Sequence, residues 1–195
     1  MSQPQPSIAD IRNMWNELIL IPKIDLHNEL ELLITTLRNS HTNGGAEFTS
    51  FHYYFHPTLD WFIRTRRLTL PNFDFSSEFL THQVVREKLK AIQIPPKLSD
   101  PLNIQVMDIF DVEAAMLRTV VCGGAYAQFS GKLSEARNIV GGFLDVVASG
   151  WQNQWFGYIG GPWTDWFHDV SWDQTWIGLN TATQTMWILC VTDSD

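Results

Sequence analysis

Tryptophan is concentrated at one end of this chain. Seven of the nine tryptophans lie within the last 45 of its 195 residues. Tryptophan side chains are large and mostly apolar, so a folded protein covers most of their surface. The segment 151–193 must therefore pack against other parts of the chain, a ligand or a partner, and it limits the possible folds more than any other feature.

The same segment predicts an antiparallel β-sheet. Residues 172–179 and 185–191 are rich in aromatic and β-branched side chains, and residues 180–184 have the length and polarity of a hairpin loop. Residues 154–159 predict a third strand, which a Gly-Gly-Pro sequence ends. The last quarter of the chain is therefore expected to form a small sheet.

Most of the preceding sequence predicts α-helices. Apolar residues recur at the three- and four-residue spacing of a helix, with Ser7 placed to cap the first helix and Pro57 to begin another. Residues 93–103 contain three prolines and predict a long loop or an internal linker. The helices are expected over residues 8–21, 26–37, 57–63, 77–92, 111–128 and 134–148.

This order of elements predicts the α+β fold class, with N-terminal helices packed on a small C-terminal antiparallel β-sheet. The helical part covers about residues 7–150 and the Trp-rich β part about residues 151–193. A chain of 195 residues is long enough to form one domain over 1–195 with a sizeable core. We expect the helices to cover one face of the sheet.

Charge and hydropathy argue against several classes of partner. Thirteen Lys and Arg residues against 21 Asp and Glu residues give a formal charge of −8, so nucleic acid is not expected as a partner, nor is a membrane. No apolar run reaches the roughly 18 residues of a membrane span, and the N-terminus lacks the pattern of a secretory signal. These features predict a cytoplasmic protein, and they do not indicate an oligomeric state.

Two local features predict structural roles only. Cys122 and Cys190 lie in apolar surroundings and outside any Cys-x-x-Cys motif, which predicts buried thiols rather than nucleophiles or metal ligands. The terminal Thr-Asp-Ser-Asp sequence, residues 192–195, has the composition of a frayed acidic tail.

The densest group of polar residues among aromatic ones is Trp-Thr-Asp-Trp-Phe-His-Asp-Val-Ser-Trp-Asp, residues 163–173. An imidazole beside carboxylates is suited to proton transfer, so His168, Asp165 and Asp169 are the candidate catalytic residues. In the alternative interpretation these Asp residues cap backbone N–H groups in turns before a strand.

The aromatic residues in and near this segment suggest an apolar binding pocket between the helices and the sheet, because such pockets combine aromatic walls with a few polar groups. A tightly packed aromatic core without a cavity is the alternative. Strand alternation would place two of the candidates, Trp172 and Trp176, on one face of the sheet. The candidate substrate-binding residues are Trp163, Trp166, Trp172, Trp176, Tyr54 and Asp173.

His52 and His56 form a second, weaker candidate site. Their spacing places both imidazoles on one side of either a helix or a strand, as in some metal sites, with Asp60 one helical turn further on. The sequence lacks the HExxH glutamate, and no cysteine lies nearby. Histidines that bond to backbone or water are the alternative interpretation.

Known motifs for phosphate loops, nucleophile elbows and dinucleotide-binding βαβ units are missing from the sequence, so no cofactor is implied. The leading hypothesis is a cofactor-independent isomerase, cyclase or lyase that acts on an apolar small molecule through His and Asp acid–base chemistry. One alternative is a non-enzymatic interaction module whose acidic, Trp-rich C-terminal face binds a basic protein. Another is a metal-dependent enzyme that uses His52 and His56.

Overall fold

The computed structural model describes residues 4–24, 27–70, 73–150 and 153–195. Two residues that the sequence interpretation used, Leu26 and Trp151, lie outside these ranges. The α+β fold class is confirmed. No helix in the described ranges is long and apolar enough to cross a membrane.

Seven α-helices occur in the described ranges, and a short 3₁₀ turn at Lys90–Ile92 follows the fifth. Helix α1 begins where predicted, since the Ser7 hydroxyl accepts from the Asp10 N–H and the Asp10 carboxylate accepts from the Ser7 N–H. The helices are α1 (Ile8–Glu17), α2 (Asn28–Ser40), α3 (Pro57–Arg64), α4 (Phe75–Thr81), α5 (Gln83–Lys88), α6 (Ile109–Cys122) and α7 (Leu133–Val147).

The described strands form one antiparallel sheet of six strands in the order β1-β2-β6-β5-β4-β3. The three strands predicted near the C-terminus are confirmed as β4–β6, although β5 begins at Gln174 and leaves Trp172 in the preceding turn. The strands are β1 (Leu20–Pro22), β2 (Gly45–Tyr53), β3 (Gln105–Met107), β4 (Gln154–Gly160), β5 (Gln174–Asn180) and β6 (Thr185–Thr192).

Strands β1–β3 were not predicted, because the sequence before residue 150 was assigned to helices and loops. The prediction that the first helix continues to residue 21 is wrong, since α1 ends at Glu17 and the chain then enters β1. Strand β2 joins the C-terminal hairpin by pairing with β6 from Gly45↔Thr192 to His52↔Thr185. Its polar residues, such as Glu47 and Ser50, fall on both faces, which hides the two-residue period of a strand.

Both faces of the sheet are covered, so the prediction that helices cover one face is wrong. On one face, residues such as Phe51, Ile177 and Ile188 pack in a core with α1, α3, α4 and α5. On the other face, Trp187 and Leu189 pack in a second core with α2, α6 and α7. The sheet is thus the middle layer between two layers of helices.

Glycine makes room for a tryptophan at the centre of the second core. Gly178 in β5 lies opposite Trp187 in β6, and a Cβ on Gly178 would come within 2.0 Å of the Trp187 indole. Both Trp187 and its neighbour Trp176 are almost completely buried. Glycine at this position of the strand lets the Trp187 ring lie close to the backbone.

The two cysteines differ in exposure. Cys190 is buried in β6, as predicted, whereas Cys122 at the end of α6 is exposed and contradicts the prediction of a buried thiol. Helix α6 ends at this residue, and the following Gly123 has a positive φ of 67°, a conformation that glycine adopts readily at helix ends.

Candidate functional site

The turn between β4 and β5, which carries most of the predicted site residues, is organised by Asp173. Its carboxylate is 1% exposed and accepts hydrogen bonds from the backbone N–H groups of His168 (3.2 Å) and Val170 (3.1 Å) and from the Thr192 hydroxyl (2.5 Å). The carboxylate therefore caps the turn, and its acceptor positions are used by the protein.

The three predicted catalytic residues lie on the outside of this turn. His168, Asp165 and Asp169 are all exposed, and Asp169 has a left-handed backbone with φ 58°. Asp165 lines one of the two clefts described below, and His168 and Asp169 line neither of them. Of the predicted acid–base group, Asp165 is therefore the member that borders these clefts.

The cleft at Asp165 has a volume of about 430 Å³. It lies between residues 98–103 of the proline-rich loop and residues 159–165 at the end of β4. Trp163 forms one wall, and its indole N–H donates to the hydroxyl of Thr175 in β5 at 2.9 Å. Because Thr175 is completely buried in the sheet, this bond holds the indole in a fixed orientation.

A second cleft, also of about 430 Å³, adjoins the first. Its walls include Phe73, which stacks on Phe62 with ring centroids 3.8 Å apart, and Trp155, whose ring meets Phe75 edge to face at 5.3 Å. These aromatic contacts fix the wall before any ligand binds. The described lining residues are 68–70, 73–76, 101–104 and Trp155.

Residues 101–103 line both clefts, so the two clefts adjoin along this segment. We call the pair of clefts the tryptophan groove, after their walls Trp155 and Trp163. Both tryptophans are partly buried and pack on the core beneath α1 and α3–α5, as do Leu102 and Ile104 of the proline-rich loop. The loop that the sequence marked as a possible linker is therefore one side of the groove.

The remaining predicted substrate-binding residues line neither cleft in the described ranges. Trp176 is 1% exposed in the core, and Trp166 packs edge to face on Phe167. Trp172 is half-buried in the turn, and Tyr54 is exposed beyond β2 with its ring 5.4 Å from that of His52.

The histidines of the predicted metal site have other partners. His56 caps α3, accepting from the Thr58 N–H at its Nδ1 (3.2 Å), while its Nε2 lies 3.4 Å from the Glu17 carboxylate. The His52 ring packs against Tyr54. Within the residues that the structure describes, no group of three His, Cys, Asp or Glu side chains is arranged to hold a metal ion.

A buried polar cluster near the C-terminus was missed by sequence reasoning. Asp193 is completely buried and accepts from the backbone N–H groups of Asn43 (2.8 Å) and Ala125 (2.7 Å), so the prediction of a frayed acidic tail is wrong at this position. Nearby His41 is also buried, and desolvation lowers the pKa of its imidazole. The cluster joins β6 to the ends of α2 and α6. A charged residue directly after a buried strand was the signal that could have revealed it.

Comparisons with known proteins give no relative. No protein-family model matches the chain, and no curated protein or solved structure matches it. The tryptophan groove is therefore the candidate functional site of the protein.

Proposed function

We propose that the protein binds an apolar small molecule in the tryptophan groove. The observation that carries the proposal is a pair of clefts, each of about 430 Å³, that adjoin along residues 101–103, the first with Trp163 in its wall and the second with three aromatic residues. Small-molecule sites in proteins have volumes of about 300–1,000 Å³ and combine apolar walls with a few polar groups. Each cleft alone falls in this range.

The rigidity of the walls favours binding. Trp163 is held by its bond to Thr175, and Trp155 by its contact with Phe75. A ligand that enters such a site does not have to order these side chains, so less of its binding free energy is lost as conformational entropy. The apolar faces of the rings supply the attraction by leaving water.

Acid–base chemistry in the groove would rest on Asp165. Among the candidate catalytic residues it is the one whose position borders a cleft, whereas His168 and Asp169 lie outside the described lining. An isomerase, cyclase or lyase reaction at this site would therefore use a carboxylate, and the bound molecule would lie against Trp163.

The interaction module has less support. Of the acidic residues that follow residue 137, Asp173 and Asp193 are buried and bonded to the protein itself. Trp176 and Trp187 are buried as well and offer no surface to a partner.

The proposal is tested by calorimetric titration with 4-phenylbutanol, a neutral probe of suitable size. Asn103 is exposed and lines both clefts, so Asn103→Trp should fill the junction without disturbing the core. We expect this variant to lose at least about tenfold in affinity, which corresponds to about 1.4 kcal/mol of excluded apolar contact.

Gln105→Trp is the matched control, because Gln105 is exposed two residues further along the chain and lies outside the described lining. This control should bind 4-phenylbutanol like the wild type. Both Asn103→Trp and Gln105→Trp should keep the melting temperature of the wild type. Equal binding by Asn103→Trp and the wild type, or no binding of 4-phenylbutanol to the wild type, would refute the proposal.

A further inference from the structure

The charge of the groove indicates which apolar molecules it selects. On the basis of the proposed function, we infer that the natural ligand of the tryptophan groove is a cation with a large apolar part, such as a hydrophobic amine. The aromatic groove is the site, and the carboxylates along it determine the charge of what it binds.

Three carboxylates line the two clefts. Asp100 and Asp165 border the first cleft and Asp74 borders the second. The described lining of both clefts includes no Lys, Arg or His side chain. An anion would meet only like charge there, whereas a cation would meet carboxylate oxygens and aromatic faces.

These carboxylates keep acceptor capacity for a ligand. Asp165 makes no hydrogen bond within the described structure, Asp100 accepts one from the Ser99 hydroxyl (2.8 Å), and Asp74 accepts one from the Ser77 N–H (3.2 Å). An ionised carboxylate has about four lone-pair positions, so each can still accept from an ammonium group. Trp155 and Trp163 add π-faces that attract cations.

Two basic residues, Arg67 and Lys97, adjoin the lining in sequence, and neither is among the described lining residues of the two clefts. Arg67, next to the lining residue Leu68, lies over the Trp61 ring with its guanidinium carbon 5.4 Å from the centroid. Lys97 precedes the lining residue Leu98 and is exposed to solvent. The described lining therefore carries three carboxylates and no basic side chain, which favours a cation over an anion.

A second carboxylate near Asp74 supports the same charge preference. Glu78 lies one turn further along α4, and burial together with the Asp74 charge raises the pKa of its carboxyl group. Two acidic groups that repel one another are both stabilised when a cation binds between or beside them.

The test uses three probes that share one apolar body: 4-phenylbutylamine, 4-phenylbutanol and 4-phenylbutyrate. Exposed charge pairs are worth a factor of about 1.4 to 5 each in affinity, and two carboxylates border the first cleft. By calorimetry at low ionic strength we expect the amine to bind about 2- to 25-fold more tightly than the alcohol, and the butyrate most weakly. At about 1 M salt, where the Debye length is about 3 Å, the amine and the alcohol should bind nearly equally.

Two variants assign the effect to the groove. Asp165→Asn should reduce the preference for the amine about 1.4- to 5-fold, measured as the ratio of the amine and alcohol affinities of the same variant. Asp169→Asn is the matched control, because Asp169 is exposed on the same turn but outside the described lining, and asparagine tolerates its left-handed backbone. It should bind like the wild type.

The outcomes separate the two proposals. If the alcohol binds as well as the amine at low salt, or if Asp169→Asn changes the preference as much as Asp165→Asn does, the groove binds apolar molecules but does not select cations, and this inference fails alone. If 4-phenylbutanol does not bind to the wild type, the proposed function fails and this inference with it.

Discussion

Removal of the Asp173 carboxylate is expected to release the turn that carries Trp163 and Asp165. Two variants test this, Asp173→Ala and Asp173→Asn. The carboxylate is 1% exposed and accepts from two backbone N–H groups and one hydroxyl, those of His168, Val170 and Thr192. In the alanine variant all three donors lose this acceptor.

The cost of the alanine variant can be worked out from these three bonds. A buried donor left unpaired costs about 1–3 kcal/mol. The N–H groups of His168 and Val170 lie on a partly exposed turn and can reach water, whereas Thr192 is completely buried. We therefore expect the low part of the summed range, a loss of about 3–5 kcal/mol from the free energy of unfolding.

The Asp173→Asn variant should lose less free energy of unfolding than Asp173→Ala. The side-chain carbonyl oxygen of the asparagine can still accept from the N–H groups of His168 and Val170. Its amide can donate to the Thr192 hydroxyl, which then accepts this bond instead of donating it. What is lost is the additional strength of bonds to a charged acceptor, so we expect a loss of about 1–3 kcal/mol.

Urea denaturation followed by tryptophan fluorescence measures both losses, and hydrogen exchange measures the turn itself. For a chain of this size the alanine variant should melt about 6–20 °C below the wild type. The amides of His168 and Val170 should exchange faster in both variants. Asp169→Asn, at an exposed position of the same turn, should stay within about 0.5 kcal/mol of the wild type.

The reasoning would be refuted by an alanine variant that unfolds within about 0.5 kcal/mol of the wild type and retains slow exchange at both amides. Such a result would mean that backbone bonds alone, such as the one from the Gly161 N–H to the Asp173 carbonyl (2.9 Å), fix the turn.

Three further predictions concern the two cores and the buried cluster. Gly178→Ala should cost about 1–3 kcal/mol in urea denaturation, because its Cβ would come within 2.0 Å of the Trp187 indole, and an unchanged midpoint would show that the ring can move aside. Burial lowers the pKa of His41 from 6.5, so the unfolded chain takes up the proton first and the free energy of unfolding should fall as the pH drops below 6.5. This fall should be smaller in His41→Gln, and an identical pH dependence in the variant would contradict the assignment. Iodoacetamide should label the exposed Cys122 of the folded protein and spare Cys190, because burial raises the pKa of the Cys190 thiol to about 12, and equal labelling by mass spectrometry would count against the described packing.

The parts of the fold that the sequence predicted are those set by local contacts. Ser7 and Pro57 begin helices as expected, because a cap or a first-turn proline acts on its own helix. The C-terminal hairpin could be predicted in the same way, because its two strands and their loop are consecutive in the sequence. Strand β2 could not be predicted, because it pairs with β6 across about 140 positions of sequence, and nothing within residues 45–53 indicates that pairing.

The candidate site shows the same limit. Sequence reasoning placed the chemistry within residues 163–173, and of the residues named there the structure puts Trp163 and Asp165 on the groove. Much of the groove comes from residues 68–70, 73–76 and 98–104, which are distant from that segment in sequence. The apolar Leu102 and Ile104 beside the prolines were the available signal that this segment packs on the protein and is not a free linker.

Burial explains why the sequence could not choose between acid–base chemistry and turn capping for the aspartates. Asp173 and Asp193 are buried and accept hydrogen bonds from the protein itself, so a substrate cannot reach either carboxylate. Asp165 is exposed and makes no bond within the described structure, so its oxygens remain open to a ligand. The same residue type thus stabilises the fold where it is buried and offers chemistry where it borders the groove. It follows that substitution at Asp173 or Asp193 should appear first in the free energy of unfolding, and substitution at Asp165 in the affinity for an apolar cation.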